Sequence, residues 1–312
     1  MRMEIKRWNK LLKNKIDFAV IVSVKNANPN GDPLNGNRPR INYEGYGELS
    51  DVSIKRKIRN RLMEDGKPIF VQSDDNRNDD YGSLRSRASG ELKEYLKDEK
   101  RFQEEACKKW IDVRAFGQVF AFKSSAKKSR NQNSALPVEN EELPKENEES
   151  VSIGIRGPVS IHPAFSIDPI NISSIQITKS VSGEGDGKKK TSDTMGMKHR
   201  VDFGVYVFYG SINPQLASKT GFGEEDAEAI KKALTHLFEN DASSARPEGS
   251  MEVYRVYWWK HNSNNGQYSS AEVHRSLTIS LKPNISEARE IDDYDFNLRE
   301  LSGLKPEIIP GR

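Results

Sequence analysis

The chain has 312 residues, 35% of them hydrophobic and 30% charged, with a formal net charge of +3 and one cysteine, Cys107. That length fits one large domain or two small ones, a lone thiol excludes an intrachain disulfide, and no apolar run approaches the ~20 residues that cross a bilayer. A free thiol without a secretion signal points to a reducing cytoplasm and away from a membrane. The small net charge hides segregation. Residues 1–15 carry Arg2, Lys6, Arg7, Lys10, Lys13 and Lys15 against Glu4 alone, whereas residues 139–149 hold six glutamates and one lysine.

In chain order, the first element is a strand over 16–25, rich in β-branched residues. A loop of amides, glycines and prolines follows at 26–40, then a helix over 52–63 with Ile54, Ile58 and Leu62 on one stripe. Residues 65–110 read as a polar loop and two helical patterns, one through Leu84, Ala88, Leu92, Tyr95 and Leu96, one through Phe102, Ala106 and Trp110. A strand is expected over 112–122. The tract 123–150, basic and then acidic, has too few apolar residues to build a core. Strands over 151–161, 175–181 and 201–209 surround a Gly-Lys-rich tip at 182–190. A helix over 224–239 places Ala227, Ile230, Leu234, Leu237 and Phe238 on one face, and Glu224, Glu225 and Asp226 suit its positive end. Strands over 252–260 and 274–281 complete the set. This order predicts an α+β fold: a ferredoxin-like sheet of the RNA-recognition-motif type, with helices on one face and long excursions grafted on.

The loop 26–40, Asn-Ala-Asn-Pro-Asn-Gly-Asp-Pro-Leu-Asn-Gly-Asn-Arg-Pro-Arg, is the most informative stretch. Asn26, Asn28, Asn30 and Gly31 imitate the start of a calcium loop, but Asn37 stands where the bidentate Glu is required, and a strand rather than a helix leads in. Turn formation explains the Asn-Gly pairs. It does not explain Arg38 and Arg40, followed by Lys55, Arg56, Lys57, Arg59 and Arg61 with no acid interleaved. A charge run ordinarily solvates a helix face. One without acids suits a polyanion better.

Signals for catalysis are sparse. His162, His199, His236, His261 and His274 are scattered singly, and no metal-ligand spacing exists, so neither a metal nor a cofactor is expected. The tip 183–189 lacks the spacing of a phosphate-binding P-loop. Phe203, Tyr206 and Phe208 resemble an RNA-stacking strand only loosely, and alternating aromatics more often fill a core. His199, beside Lys198 and Arg200, offers an acid and charge stabilisation for a metal-independent endoribonuclease.

The motifs, taken together and in order, resemble the CRISPR-associated Cascade backbone subunit of subtype I-C. They are Asn28-Pro-Asn-Gly-Asp-Pro33, Asn37-Arg-Pro-Arg40, Asp51-Val52 through Lys55-Arg-Lys-Ile-Arg59, Asp112-Val-Arg-Ala-Phe-Gly117, Arg156-Gly-Pro-Val-Ser-Ile161, Asp193-Thr-Met-Gly-Met-Lys198, and Asp241-Ala-Ser-Ser-Ala-Arg-Pro-Glu-Gly249. The resemblance implies a palm (16–64, 112–122 and 201–281), helical fingers (65–111), a charged tract and thumb (123–200), and a tail (282–312). It implies a non-catalytic subunit whose copies coat a guide RNA head to tail, with target DNA and other Cascade subunits as further partners. On that reading Asn28, Asn30, Asn37, Arg38, Arg40, Lys55, Arg56, Arg59, Arg114, Lys198, His199 and Arg200 contact RNA, and Met195 is a wedge between bases or a core methionine. Arg114 shares a strand face with Phe116 and Phe120, which leaves a buried ion pair as its alternative.

Overall fold

The computed structural model describes residues 10–122, 151–178 and 195–312. The tract 123–150 and the Gly-Lys tip lie outside the described residues. The chain runs β1 (Ile16–Ala27), β2 (Gly31–Asp32), β3 (Arg38–Pro39), β4 (Tyr46–Leu49), α1 (Asp51–Glu64), α2 (Leu84–Glu91), α3 (Glu99–Lys109), α4 (Ile111–Phe116), β5 (Gly117–Phe122) and β6 (Val151–Arg156). It continues through β7 (Val159–Ile161), β8 (Ala164–Pro169), β9 (Ile172–Thr178), β10 (Met195–Ile212), α5 (Pro214–Thr220), α6 (Glu224–Thr235), β11 (Met251–Lys260), α7 (Ser270–Arg275), β12 (Leu277–Leu281), β13 (Tyr294–Leu298) and β14 (Glu307–Pro310).

The main sheet is antiparallel with the order β14-β11-β1-β10-β8-β4, and β7 and β9 also pair with β10. Strand β1 lies at its centre and is buried on both faces, so its sequence is nearly all apolar rather than alternating. Phe18, Val20, Val22 and Val24 point toward α1 and α6, whose Ile54, Ile58, Leu62, Ile230 and Leu234 complete that core layer. Ser50 caps α1 by accepting from Ser53 N at 3.2 Å. Ala19 and Ile21 point the other way, into a second core with Val205, Tyr257, Trp259, Val273 and Leu277. A third cluster, with Phe70, Phe102, Trp110 and Phe120, unites α2, α3, β5 and β6 apart from the sheet. Tyr206 and Phe208 are core residues.

The expected α+β class and large sheet are present, and several boundaries differ. Residues 112–122 are not a strand of the sheet. Their first half is α4, and among the described residues β5 pairs only with β6. Gly117 makes the break: its φ of +80° ends the helix, and a Cβ there would meet Ile155 O at 2.3 Å. The strand expected at 201–209 begins at Met195, so the sheet and the arm share one continuous element. Residues 195–200 extend past the end of β1 and, among the described residues, pair with β9 alone, giving an arm that leaves the sheet. The helix expected to reach 239 ends at Thr235. The 282–312 segment is structured: it supplies β13 and the edge strand β14. Among the described residues no helix is long and apolar enough to cross a membrane.

Candidate nucleic-acid interface

At the C-terminal end of β1 three segments meet: the loop 26–50, the first turns of α1 and the loop 241–250. Asn28 N donates to Ala245 O at 2.9 Å, which ties the first segment to the third. The Asn28 side chain is 4% exposed and its Nδ2 donates to Asn37 O at 2.7 Å. Asn30 Oδ1 accepts from Ser50 N at 2.9 Å, at the cap of α1. Asn26 and Asn37 hold φ values of +55° and +58°, which asparagine tolerates better than most side chains. The amides therefore shape the loop. Two polar atoms in it are buried without a partner, Asn28 Oδ1 and Arg40 Nε. Arg38 is half-exposed and has no ion-pair partner among the described residues; Arg40 is 3.7 Å from Asp32.

The absence of acids within the α1 run is compensated in space, which corrects the expectation of an unpaired cationic helix. Lys55 pairs with Asp51 at 2.9 Å and Arg56 with Asp75 at 3.0 Å, both at the surface. Arg59 Nε donates to Asp112 Oδ2 at 3.0 Å, and Asp112 is buried. Arg61 reaches Glu64 and Glu239. Lys57 is buried against Asp241, which also accepts from Arg246 Nε at 3.2 Å. Burial pulls the Lys57 ammonium down to about 8, with Asp241 opposing the shift. The distinction matters because an exposed pair contributes about 0–1 kcal/mol and exchanges readily for a phosphate. A buried one does not.

Arg114 lies on α4 rather than on a strand. It forms a two-pronged pair with Asp226 of α6, at 2.7 and 3.0 Å, and also donates to Cys107 O. Its alternative reading as an ion-pair residue is the one the geometry has.

On the arm, strand alternation places Met195, Met197 and His199 on one face and Lys198 and Arg200 on the other, with Ile175 and Ile177. His199 Nδ1 is 2.8 Å from Ser174 Oγ. The trio expected for RNA cleavage is thus split across two faces. Met195 and Met197 are 60% and 55% exposed, so neither is a core methionine.

The histidines are less scattered than the sequence suggests. Asp17, charged and fully buried in β1, gathers three of the five. His261 Nδ1 accepts from Gln267 N at 2.9 Å, so its Nε2 carries the proton and donates to Asp17 Oδ2 at 2.8 Å. His274 Nε2 lies 3.9 Å from Asp17 Oδ1, and the His162 ring meets the His274 ring edge-on at 5.6 Å. A carboxylate inside an apolar strand was the available signal. The group lies on the sheet face opposite α1, and His274 is too buried to meet a substrate. Among the described residues no cluster is placed to hold a metal ion.

A large antiparallel sheet with α1 and α6 on one face, the short α7 on the other and a projecting two-stranded arm defines a class of mixed α+β proteins. The family model for CRISPR-associated protein Cas7 matches residues 14–299, and the chain belongs to that family. The CRISPR-associated protein Cas7 of Haloferax volcanii is 25% identical over 235 residues, which is 74% of this chain and 66% of that protein. The chain thus spans just under two thirds of that relative. A chain of a solved CRISPR RNA-guided surveillance complex in a pre-nicking state aligns over 88% of this chain and 84% of its own, at 13% identity and a TM-score of 0.48. A chain of another CRISPR RNA-guided surveillance complex aligns over 78% and 68%, at 16% identity and a TM-score of 0.38.

Proposed function

We propose that this chain is a non-catalytic, RNA-binding filament subunit. It coats the spacer of a guide RNA in a cytoplasmic type I-C Cascade complex and presents it for pairing with target DNA. The observation that carries this reading is the meeting of the amide loop with its Arg38 and Arg40, the start of α1 with its surface pairs at Lys55 and Arg56, and the loop 241–250 at one end of the sheet, in a member of the Cas7 family. The sheet acts as an RNA-recognition-motif palm, since β11-β1-β10-β8 with α1 and α6 on one face follows ferredoxin-like order. The cluster around Phe70 and Phe102 acts as fingers, and the β9–β10 arm as the thumb that meets a neighbouring copy.

Arg38, Arg40, Lys55 and Arg56 supply phosphate contacts, and Lys198, His199 and Arg200 supply them from the arm, with Met195 as the wedge. Arg59 and Arg114 act at one remove, since Asp112 and Asp226 hold their guanidinium groups. Asn28, Asn30 and Asn37 set the loop that presents Arg38 and Arg40. Such a set grips a backbone without reading bases.

The test is to purify the chain and read its absorbance ratio at 260 and 280 nm, then add CRISPR-repeat RNA in EDTA. Co-purifying RNA without cleavage is expected. Nucleic-acid-free protein overturns the reading, as does cleavage at one position that His199→Ala abolishes.

A further inference from the structure

The register between β1 and β11 slips once, between Ile21, opposite Arg255, and Val22, opposite Val253. Tyr254 is the extra residue of a β-bulge. Such bulges turn two consecutive side chains to one face and recur beside functional sites. Here they are Tyr254 and Arg255, on the face remote from α1. The guanidinium carbon lies 4.7 Å from the Tyr254 ring centroid and 5.6 Å from that of Phe296 on β13. The two rings are 5.1 Å apart at 32°. Arg255 donates to Tyr254 Oη at 3.0 Å and, at the longer 3.5 Å, to Tyr257 Oη.

No carboxylate among the described residues pairs with Arg255. This contrasts with α1, where acids neutralise the cations. Two phenol oxygens and two ring faces hold the guanidinium in place but leave its charge uncompensated. Most of its five donors remain for an outside anion. All three side chains are half-buried, neither sealed off nor free to wave in solvent. Further along the same face of β1 stands Lys25, exposed and likewise without an acid partner among the described residues. Two residues on a strand advance ~6.6 Å, so Lys25, on the face shared with Ile21 and Ser23, stands two such steps along β1 from the bulge. Glu252, opposite Ser23 on this face, accepts from Ser23 Oγ at 2.9 Å and is the acid between the two cations.

We propose that Tyr254, Arg255 and Phe296 form a second site for single-stranded nucleic acid, distinct from the surface around α1. The guanidinium takes a phosphate, a ring stacks on an unpaired base, and Lys25 meets the backbone further along. A single strand offers phosphate and an open base face together. A duplex hides the base, and an acidic peptide has no flat group to stack. The inference rests on the nucleic-acid reading above only for the class of ligand.

The experiment is fluorescence anisotropy with labelled 12-nucleotide uridine and thymidine oligomers on the full chain carrying Arg38→Ala and Arg40→Ala, which weakens the first surface. Adding Arg255→Gln or Phe296→Leu is expected to lower the remaining affinity for one or both oligomers by about 5–100-fold, the range of one stacked base or one charged contact. Arg255→Lys keeps the charge but loses the planar fork, and is expected to bind several-fold more weakly with an unchanged melting temperature. Crosslinking of wild-type protein to 4-thiouridine RNA should tag Tyr254 or Phe296. A response of the uridine oligomer alone assigns the site to RNA, and of the thymidine oligomer alone to DNA. Unchanged affinity for both, with no crosslink at either ring, overturns the inference and leaves a structural staple. Displacement of the oligomers by a ten-residue glutamate peptide from this site alone also overturns it. If wild-type protein binds no RNA anywhere, the functional reading fails instead.

Discussion

Arg59 of α1 donates to Asp112 of α4 at 3.0 Å, and Asp112 accepts in addition from the backbone N–H groups of Phe70 and Val71, at 2.7 and 3.0 Å. One buried carboxylate thus ties the helix beneath the interface to the third hydrophobic cluster. Arg59 also lies 5.1 Å from the Phe116 ring. Removing the carboxylate strands a half-buried guanidinium and two backbone donors. Asp112→Ala is expected to cost about 3–5 kcal/mol, or about 5–8 °C in melting temperature for a chain of this size. Calorimetry checks this. A loss within 1 °C would mean that the clamp is dispensable.

Exposed cations respond differently. Replacing Arg38, Lys55 and Arg56 by Ala should leave folding nearly unchanged, because their ion pairs are absent or at the surface. Affinity for single-stranded RNA should drop, and the slope of log affinity against log salt should flatten by about 0.7 per lost phosphate contact. Arg59→Ala should instead lower stability first. An RNA titration at several salt concentrations separates the two classes. An unchanged slope in the triple variant removes these residues from the RNA surface.

Much of this was legible in the sequence where one periodicity dominated. The run of β1, the Ile54-Ile58-Leu62 stripe and the α6 face were readable because each element buries a whole face. Residues 112–122 misled because Arg114, Phe116 and Phe120 share one face of a strand while Val113 and Phe116 fit a helical turn equally well, and the deciding clash at Gly117 comes from β6, distant in sequence. The acids that neutralise α1 were invisible for the same reason: Asp75, Asp112, Asp241 and Glu239 arrive from other elements. The loop 241–250 was visible as a motif without a role, and only its pairing with Asn28 brings it to the interface. Asp17 is a carboxylate within an apolar strand, a signal given no role in the sequence reading, and nothing local named His261 or His274 as its company.

That buried group makes stability depend on pH. Burial, with Asp17 opposing, holds the His274 imidazole below its ordinary value. The unfolded chain takes up this proton near pH 6.5 and the folded one only at lower pH. Stability from this group is therefore complete above about 6.5 and falls as the solution is acidified. At Asp17, burial raises the carboxyl, but hydrogen bonds from His261 and Ser270 and the nearby Lys15 outweigh it and hold the group below the usual range. Its contribution is lost only below about pH 4. Urea midpoints should decline from pH 7 to 5, and His274→Gln should flatten that decline. An equal slope in the variant would place the sensitivity elsewhere.

Gly117 and Gly157 meet where α4 hands over to β5. A Cβ on Gly157 would approach Ala115 O to 2.2 Å, and on Gly117 would meet Ile155 O at 2.3 Å. Both obstacles are backbone, which cannot swing aside. Gly117→Ala adds the strain of a positive φ. Each substitution should destabilise by more than about 1 kcal/mol, and protease should open the 65–122 region before the sheet. Hydrogen exchange resolves the order. Simultaneous opening would show that the fingers cluster and the sheet unfold as one unit.

The arm gives the last expectation. Met195, Met197, Ile175 and Ile177 leave large apolar groups 42–60% exposed, two on each face of a two-stranded ribbon. Isolated ribbons of this kind bury too little to stabilise themselves, so these side chains contribute little to the monomer. Their apolar surface becomes useful only against something outside it, the RNA bases and a neighbouring copy in the proposed assembly. Replacing Met195 and Met197 by Ser should therefore leave the melting temperature within about 1 °C, as for other exposed positions. Electron micrographs of the RNA-bound protein should then contain shorter and less regular filaments, because each lost contact recurs at every subunit junction. Filaments of normal length and pitch would move the junction to another surface, and a large fall in melting temperature would make the methionines part of the fold.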